Sequence, residues 1–277
     1  MKRITVWALF DSGNGCYTKT VNKNFDNIDI YPVGIDVENK NSHFINLNLA
    51  DYSELFSGGI SPIFEELDKL PKPDIILASP PCESWSMASA MPRGNACWQT
   101  NEITTLFGTE KADNHFSLRT KLELEEDNAK KKGAFVKYWY KTVYNRINGE
   151  LCAFNTIRII ERYKPNIWII ENPQSSRLWR YYKQIHNFNG IENVAHYNSY
   201  AEQVPKKATT FYSNIELELR TTSEKADITV TVNNDGRKFL RGYNNRSNIP
   251  EMLIKEILEK CIKKFDGNIQ ADIIKEK

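Results

Sequence analysis

Residues 74–86 read DIILASPPCESWS, and this stretch decides the fold. Its first part, residues 75–78, is a short apolar run, which is typical of a strand buried on both faces of a parallel sheet. Pro80 and Pro81 lack a backbone N–H and have a fixed φ, so they end the strand and stiffen the following loop. The loop brings Cys82 to the carboxyl edge of the predicted sheet, where open α/β folds bind ligands. Such a cysteine is either a buried, inert thiol or a nucleophile.

Two further apolar runs predict strands beside the first. Residues 3–10 (RITVWALF) end in the turn DSGNGC, in which Gly13 and Gly15 let the backbone approach a ligand closely. About twenty residues later, residues 33–37 (VGIDV) predict a second strand that ends near Asp36. This spacing between a glycine-containing turn and an acid is the one with which nucleotide sites hold a ribose through its hydroxyls.

A fourth strand is predicted where an acid follows an apolar run. Residues 151–163 have helical spacing and end before a Lys-Pro pair, and residues 167–170 (IWII) then lead into Glu171. A carboxylate at the end of a buried strand is costly unless it has a partner or a task, so Glu171 is either a paired structural acid or part of a site with Cys82. Alternating strands and helices predict an α/β fold with a mostly parallel sheet and helices on both faces.

Composition limits the classes of protein that fit. The chain has 277 residues, of which 26% are charged and 40% hydrophobic, so one large α/β domain, alone or with a small appendage, is expected. No run approaches a membrane span and the amino terminus has no signal-peptide pattern, so we expect a cytoplasmic protein with no membrane partner. The five cysteines are scattered and no histidines are paired, which argues against a disulfide framework and a metal site. Because the net charge is only +2, any contact with nucleic acid would depend on an uneven local distribution of charge.

The loop SPPCESWS resembles the catalytic loop of the cytosine-5 DNA methyltransferases, which is Pro-Pro-Cys followed by a polar residue, another residue, an aromatic residue and Ser. Glu171 begins Glu-Asn-Pro, which resembles the second catalytic motif in the form associated with compact phage-borne members. The segment VPKKATTF resembles the family's basic segment. The resemblance implies that Cys82 is the nucleophile, that Glu171 contacts the ring, and that Lys206 and Lys207 hold phosphates.

The same resemblance extends to both ends of the chain. Residues 48–52 (NLADY) and 245–250 (NRSNIP), the latter followed by a helix over 252–265, are similar to the family's third and closing cofactor segments, and all segments occur in the family's order. It therefore implies a Rossmann-like S-adenosylmethionine-dependent methyltransferase fold with S-adenosyl-L-methionine as cofactor. The residues that it assigns to the cofactor are Phe10, Ser12, Gly13, Gly15, Asp36, Asn48, Pro80 and Asn248.

The expected organisation is a catalytic domain over 1–200 with an insert at about 87–148, a reduced target-recognition region over 201–237, and a segment over 238–277 that returns to the catalytic domain. A strand is predicted over 194–200, and residues 215–217 and 228–232 are strand-like. Arg177 is a candidate group for binding phosphate or anchoring a loop. The insert interleaves basic and aromatic residues, which suit phosphate contacts and base stacking. An amphipathic helix with core aromatics explains the same pattern, and we favour it for the aromatics, while both interpretations stay open for the lysines. The residues concerned are Lys130, Lys131, Lys132, Phe135, Lys137, Tyr138, Trp139, Tyr140, Lys141, Tyr144 and Arg146.

The implied reaction is methylation of carbon 5 of cytosine in double-stranded DNA by a monomer in a bacterial host cell. A thiolate adding to carbon 6 breaks the ring's aromaticity, and the base must first leave the duplex stack. RNA cytosine methylation, or another cytosine modification on the same fold, is one alternative. A catalytically silent DNA-binding or decoy protein is another, because an extra residue separates Phe10 from Gly13 and Asn48 occupies the position of the family's acid.

Overall fold

The computed structural model describes residues 3–35, 41, 43–87, 94–100, 103–105, 108–110, 116–130, 136–229, 238–239 and 248–275, and for 103–105, 108–110, 238–239 and 266–275 it describes the backbone alone. The strands are β1 (Ile4–Leu9), β2 (Ile28–Gly34), β3 (Ile45–Asn46), β4 (Ile75–Ala78), β5 (Trp98–Thr100), β6 (Ile103–Thr105), β7 (Gly108–Glu110), β8 (Phe116–Leu118), β9 (Ile167–Pro173), β10 (Ile191–His196), β11 (Ala208–Ser213), β12 (Ile228–Thr229) and β13 (Lys238–Phe239). The helices are α1 (Cys16–Asn24), α2 (Pro62–Leu67), α3 (Lys121–Ala129), α4 (Trp139–Tyr163), α5 (Leu178–Arg180), which continues as a π turn over Tyr181–Ile185, and α6 (Glu251–Lys275), with 3-10 turns at Ser53–Leu55 and Tyr197–Ser199.

Seven strands form the main sheet in the order β10-β11-β9-β4-β1-β2-β3. All neighbours are parallel except β11, which is antiparallel to both β9 and β10. From β1 the chain moves outward through β2 to β3, and from β4 it moves the other way to β9. The connection therefore reverses direction between β1 and β4, which creates a crevice at the carboxyl ends of these two strands.

Helices cover both faces of this sheet. On one face, α1 and α6 contribute Tyr17, Leu253 and Leu258 to a buried cluster with the strand residue Val6. On the other face, α2, α4 and α5 pack against the opposite side of the same strands, where Trp7 is fully buried. The α/β class, the mostly parallel sheet and the helices on both faces are thus confirmed. Because adjacent β1 residues face opposite clusters, residues 6–9 (VWAL) are all apolar.

The insert builds a small layer beside the sheet. β5 pairs with β8, and β6 pairs with β7, in two antiparallel hairpin-like ladders. Thr120 and Glu123 form a capping box at the start of α3, which satisfies backbone N–H groups that a helix end leaves without partners. The long helix α4 then runs from the insert onto the sheet and ends at Lys164, whose left-handed conformation precedes a proline. The helix predicted over 151–163 is therefore the second half of a longer one.

Several predicted strands differ from the structure. Residues 215–217, predicted as strand-like, form no strand, because the backbone N–H of Leu217 donates to the Asn193 side chain and Glu218 has a positive φ. The strand predicted over 194–200 ends at His196, where a 3-10 turn begins. The second strand runs over Ile28–Gly34 rather than 33–37. Of the strand predicted over 228–232, the described part comprises two residues.

Two classes of feature are absent from the described ranges given above. In them no helix is both long and apolar enough to cross a membrane. The same residues contain no cluster of three or more His, Cys, Asp or Glu side chains that could hold a metal ion.

Candidate active site

A cleft of about 700 Å³ opens at the carboxyl edge of the sheet where the chain reverses direction between β1 and β4. We call it the switch-point cleft. Its walls come from six parts of the chain: the β1–α1 loop with the start of α1, the residue after β2, the loop after β4, the end of β9, the residue before β11, and the segment that enters α6. A crevice at this position is where open α/β sheets bind ligands.

Most of the predicted site residues lie together in this cleft. Eight of them line it: Cys82, Glu171, Lys207, Phe10, Ser12, Gly15, Pro80 and Asn248. Gly13 belongs to the same loop but is not part of the lining, and Lys206 is absent from the lining although its neighbour is present. Asn48 borders a separate depression of about 290 Å³ beside Tyr52 and Phe56. Asp36 lies outside the described residues, so its contact with a ribose stays a prediction, as does that of Asn48 with adenine.

The loop after β1 is organised around the buried carboxylate of Asp11. Asp11 Oδ2 accepts hydrogen bonds from Thr18 N at 3.2 Å and from Thr18 Oγ1 at 2.9 Å, which ties the loop to α1. A Cβ at Gly15 would lie 1.6 Å from Asp11 Oδ1, so a side chain there would force the Asp11 carboxyl group to move. Phe10 turns the chain out of the strand at φ 62°, a conformation that is rare outside glycine. Burial raises the pKa of Asp11 to about 6, although the hydrogen bonds from Thr18 act in the opposite direction.

Residue Asn172 of β9 supports the loop that carries Cys82. Asn172, the residue after Glu171, is buried and donates from Nδ2 to the backbone carbonyl of Pro80 at 2.9 Å. Ser176 Oγ in turn donates to Asn172 Oδ1 at 2.7 Å, which fixes the orientation of the amide. The two catalytic motifs suggested by the sequence are therefore joined by a direct hydrogen bond.

The residues after Cys82 form a tight turn with an aromatic anchor. Ser86 N donates to the Cys82 carbonyl at 2.7 Å, and the fully buried Trp85 ring stacks on Trp98 at a centroid distance of 5.1 Å. Asn95 donates to the carbonyl of Ser84 at 3.0 Å. These contacts come from the insert, so the insert positions the Cys82 loop.

Two more contacts hold the same turn on its other sides. The backbone N–H of Arg177 donates to the Trp85 carbonyl at 2.9 Å. On α4, a Cβ at Gly149 would lie 2.0 Å from Ser84 Oγ. The helix therefore approaches the turn this closely because residue 149 has no side chain. Arg177, which sequence reasoning treats as a phosphate-binding or loop-anchoring group, thus anchors the loop through its backbone.

Glu171 lies in a small polar cluster on the far side of the cleft. The Lys207 Nζ to Glu171 Oε1 distance is 3.9 Å, and Tyr197 OH donates a long hydrogen bond of 3.5 Å to the same oxygen. Lys207 Nζ also lies 4.9 Å from the centroid of the Tyr197 ring. The direction of β11 explains why Lys207 lies near Glu171. Because β11 is antiparallel to β9, Lys207, the residue before β11, lies at the carboxyl end of β9.

The four cysteines other than Cys82 have thiols of raised pKa. Burial raises the pKa of the thiols of Cys16, Cys97, Cys152 and Cys261 to about 12, which keeps them protonated and poorly nucleophilic. All five cysteines are described and none forms a disulfide.

A second cleft, of about 460 Å³, lies on the other side of the Cys82 loop. We call it the α4 cleft. Its lining consists of Cys82, Glu83, Ser86, Ala96, Cys97, Val136, Lys137, Tyr138, Lys141, Thr142 and Asn145. Cys82 lies at the boundary of both clefts, so groups bound in either one would meet at its thiol.

The aromatic residues of the insert contradict the interpretation that they form a core. The side chains of Tyr138, Tyr140 and Tyr144 are 55%, 57% and 70% exposed. Phe135 lies outside the described residues, and of the described aromatics only Trp139 fits the prediction, because it packs against Ala96 and Leu124. The helix is amphipathic as expected, but its register turns the three tyrosines outward.

Sequence reasoning missed three residues of the site. Tyr197 was counted within a strand, and only its position shortly before the basic segment could have suggested contact with Glu171. Asn172 carried the signal of following an acid at a strand end, although its role as the support of Pro80 depends on the parallel register of β4 and β9. Asp11 stood in the glycine-containing turn and was treated as a turn residue.

No protein-family model matches the chain, and no curated protein matches its sequence.

Proposed function

We propose that this protein is an S-adenosylmethionine-dependent methyltransferase that methylates carbon 5 of cytosine in DNA through a covalent adduct with Cys82. One observation carries the proposal. Cys82, Glu171 and Lys207, which stand far apart in the sequence, line one cleft together with the loop after β1. A nucleophile, an acid and a cation in one ligand-binding crevice meet the needs of addition to an aromatic ring.

The sheet gives further support to the fold that the resemblance implies. Its ligand crevice lies between β1 and β4, and its one antiparallel strand, β11, is second from an edge. The placement matters for the chemistry, because it brings Lys207 to the same edge as Glu171.

The residues of the switch-point cleft fit this cofactor. The cleft combines backbone groups at the start of α1, which suit a carboxylate, with the acid Asp11 and the amide of Asn14, which suit an ammonium and hydroxyl groups. Phe10 and Pro80 provide apolar surface. When bound, the cofactor would supply an electrophilic methyl group on a sulfonium.

The residues of this chain perform the remaining steps. The Cys82 thiolate adds to carbon 6 of the ring, which breaks its aromaticity and makes carbon 5 nucleophilic. Glu171 hydrogen-bonds to ring nitrogen 3 and stabilises the charge that develops there. Lys207 and Tyr197 hold the Glu171 carboxyl in position. After methylation, loss of the carbon 5 proton restores the double bond as the Cys82 sulfur leaves.

DNA is the proposed substrate, with the cytosine extruded from the stack, because the ring atoms are inaccessible in a duplex. Nucleoside mass spectrometry of DNA from cells that express the wild type or Cys82→Ser tests the proposal. We expect 5-methylcytosine with the wild type and with the matched control Cys261→Ser, a buried cysteine on α6 that lines neither cleft, but not with Cys82→Ser. Absence of 5-methylcytosine with a folded wild type would contradict the proposal, and the modified base would then be sought in RNA.

A further inference from the structure

The α4 cleft has no task in the reaction described so far, although Cys82 borders it. It is formed by the Cys82 loop, the insert strand region and the start of α4, and it holds about 460 Å³. The switch-point cleft contains the groups that act on the ring and the cofactor. A second cleft that meets the first at the nucleophile is therefore positioned for the part of the substrate next to the reacting base.

The charges of this cleft favour an anionic occupant. Lys137 and Lys141 line it, against the single acid Glu83. The cleft also lies at the amino terminus of α4, a helix of 25 residues without an acid in its first turn, so the helix dipole adds a partial positive charge.

The aromatic side chain at its rim suits a flat ring. Tyr138 lines the cleft and is 55% exposed, although tyrosine is usually partly covered. Lys141 Nζ lies 5.8 Å from the centroid of the Tyr138 ring, so a base stacked on this ring would bring its phosphate close to an ammonium. Aromatic rings beside cations are the usual combination for single-stranded nucleic acid.

This surface is held in place. Asn128 on α3 donates from Nδ2 to the Lys137 carbonyl at 2.8 Å and accepts from the Lys137 N–H at 3.0 Å. On the next turn of α4, Cys97 Sγ contacts the Thr142 carbonyl at 3.6 Å. Fixed backbone at Lys137 lowers the entropy lost on binding, which favours recognition of a defined ligand.

We propose that the α4 cleft binds the nucleotide adjacent to the target cytosine in the DNA strand, with Tyr138 stacking on its base and Lys137 and Lys141 contacting its phosphates. This inference rests on the proposed function, because the bound nucleotide is defined as the neighbour of the cytosine that is methylated. It adds a nucleotide subsite in the insert, outside the cofactor and catalytic groups, which would influence the sequence around the methylated cytosine.

The test is the affinity of the full chain for a labelled single-stranded DNA of about a dozen nucleotides containing one cytosine, measured by fluorescence anisotropy without cofactor. We expect Tyr138→Ala to weaken binding about tenfold and Tyr138→Phe, which keeps the ring, to bind within about twofold of the wild type. Replacing Lys137 and Lys141 by Gln should weaken binding and reduce the salt dependence by about 1.4 in the logarithmic slope, since each phosphate contact on a single strand contributes about 0.7.

Matched controls lie on the same helix outside the cleft. Tyr144→Ala removes a more exposed tyrosine, and Lys164→Gln removes a lysine at the opposite end of α4, roughly 35 Å from Lys141 by helical rise. Both should bind as the wild type does. If the cleft variants bind as tightly as these controls, the subsite is wrong and the proposed function is unaffected. If the wild type binds RNA of the same sequence but no DNA, both the DNA subsite and the DNA substrate are wrong.

Discussion

Lys206 and Lys207, the two residues before β11, allow a role in the reaction to be distinguished from a general phosphate contact. Lys207 Nζ lies 3.9 Å from Glu171 Oε1 and lines the switch-point cleft, whereas Lys206 does not line it. We predict that Lys207→Gln lowers the methylation rate constant about tenfold or more, because it removes a positive charge beside the acid that we propose contacts the ring. Single-turnover methylation of a cytosine-containing duplex measures this rate.

Lys206→Gln is the matched control for that substitution and should change the rate by about twofold or less. Its effect should appear, if anywhere, as weaker DNA binding with a smaller salt dependence. Equal losses of rate in the two variants would contradict the assignment of Lys207 to the catalytic cluster.

The buried acid of the β1–α1 loop makes stability depend on pH. The folded-state pKa of Asp11 is raised by burial to about 6 from an ordinary 3.8, so the folded protein holds a proton that the unfolded chain has released between about pH 4 and pH 6. The free energy of unfolding contributed by this group therefore falls as pH rises through that window, by up to about 3 kcal/mol.

Asp11→Asn isolates this contribution, since asparagine cannot ionise but its amide oxygen can still accept from Thr18. Denaturant unfolding of wild type and variant at several pH values gives the difference in free energy of unfolding. We expect the free energy of unfolding of the variant to increase relative to that of the wild type as pH rises from 4 to 7. A difference that does not change with pH would mean that Asp11 is ionised throughout.

At the scale of secondary-structure elements, α4 approaches the Cys82 turn so closely that one added carbon atom would collide with it. A Cβ at Gly149 would lie 2.0 Å from Ser84 Oγ and 2.9 Å from Ser84 Cβ. Gly149→Ala should therefore displace the turn and lower the methylation rate, even though alanine favours the helix by about 1 kcal/mol.

Asn148→Ala, one residue earlier on the exposed side of the same helix, is the control for that change. It alters helix propensity without touching the turn, so methylation should be unaffected. Thermal unfolding distinguishes a displaced turn from an unfolded protein, because the displaced turn leaves the sheet and its transition in place. An active Gly149→Ala variant would show that the turn tolerates the displacement.

Much of the sheet could be predicted from the sequence, because buried parallel strands are short apolar runs and the residues that follow them share one edge. This reasoning brought Cys82 and Glu171 together correctly. It failed where pairing depends on one side chain, as at Leu217, whose backbone bonds to Asn193 instead of a neighbouring strand. It also failed for the tyrosines of α4, since a basic and aromatic pattern does not define which helix face meets the core.

At the scale of the whole molecule, the switch-point cleft is built from segments that are distant in the sequence, so a ligand bound there stabilises the entire fold. S-adenosylhomocysteine, the demethylated form of the cofactor, should raise the melting temperature in a concentration-dependent way. At a hundredfold excess over its dissociation constant the gain is about 2.7 kcal/mol, which corresponds to roughly 5 °C or more. Adenosine triphosphate at the same concentration is the control, and equal shifts with both would contradict a specific cofactor site.

The most direct test of the central claim, attack by Cys82 on carbon 6 of cytosine, is covalent trapping on DNA that contains 5-fluorocytosine. Fluorine at carbon 5 cannot leave as the proton does, so after methyl transfer the sulfur–carbon bond persists. The account predicts a denaturation-resistant adduct, formed only with S-adenosylmethionine present, whose peptide mass places the DNA on Cys82. No adduct under conditions where the protein binds this DNA, or an adduct on any of the other four cysteines, would contradict it.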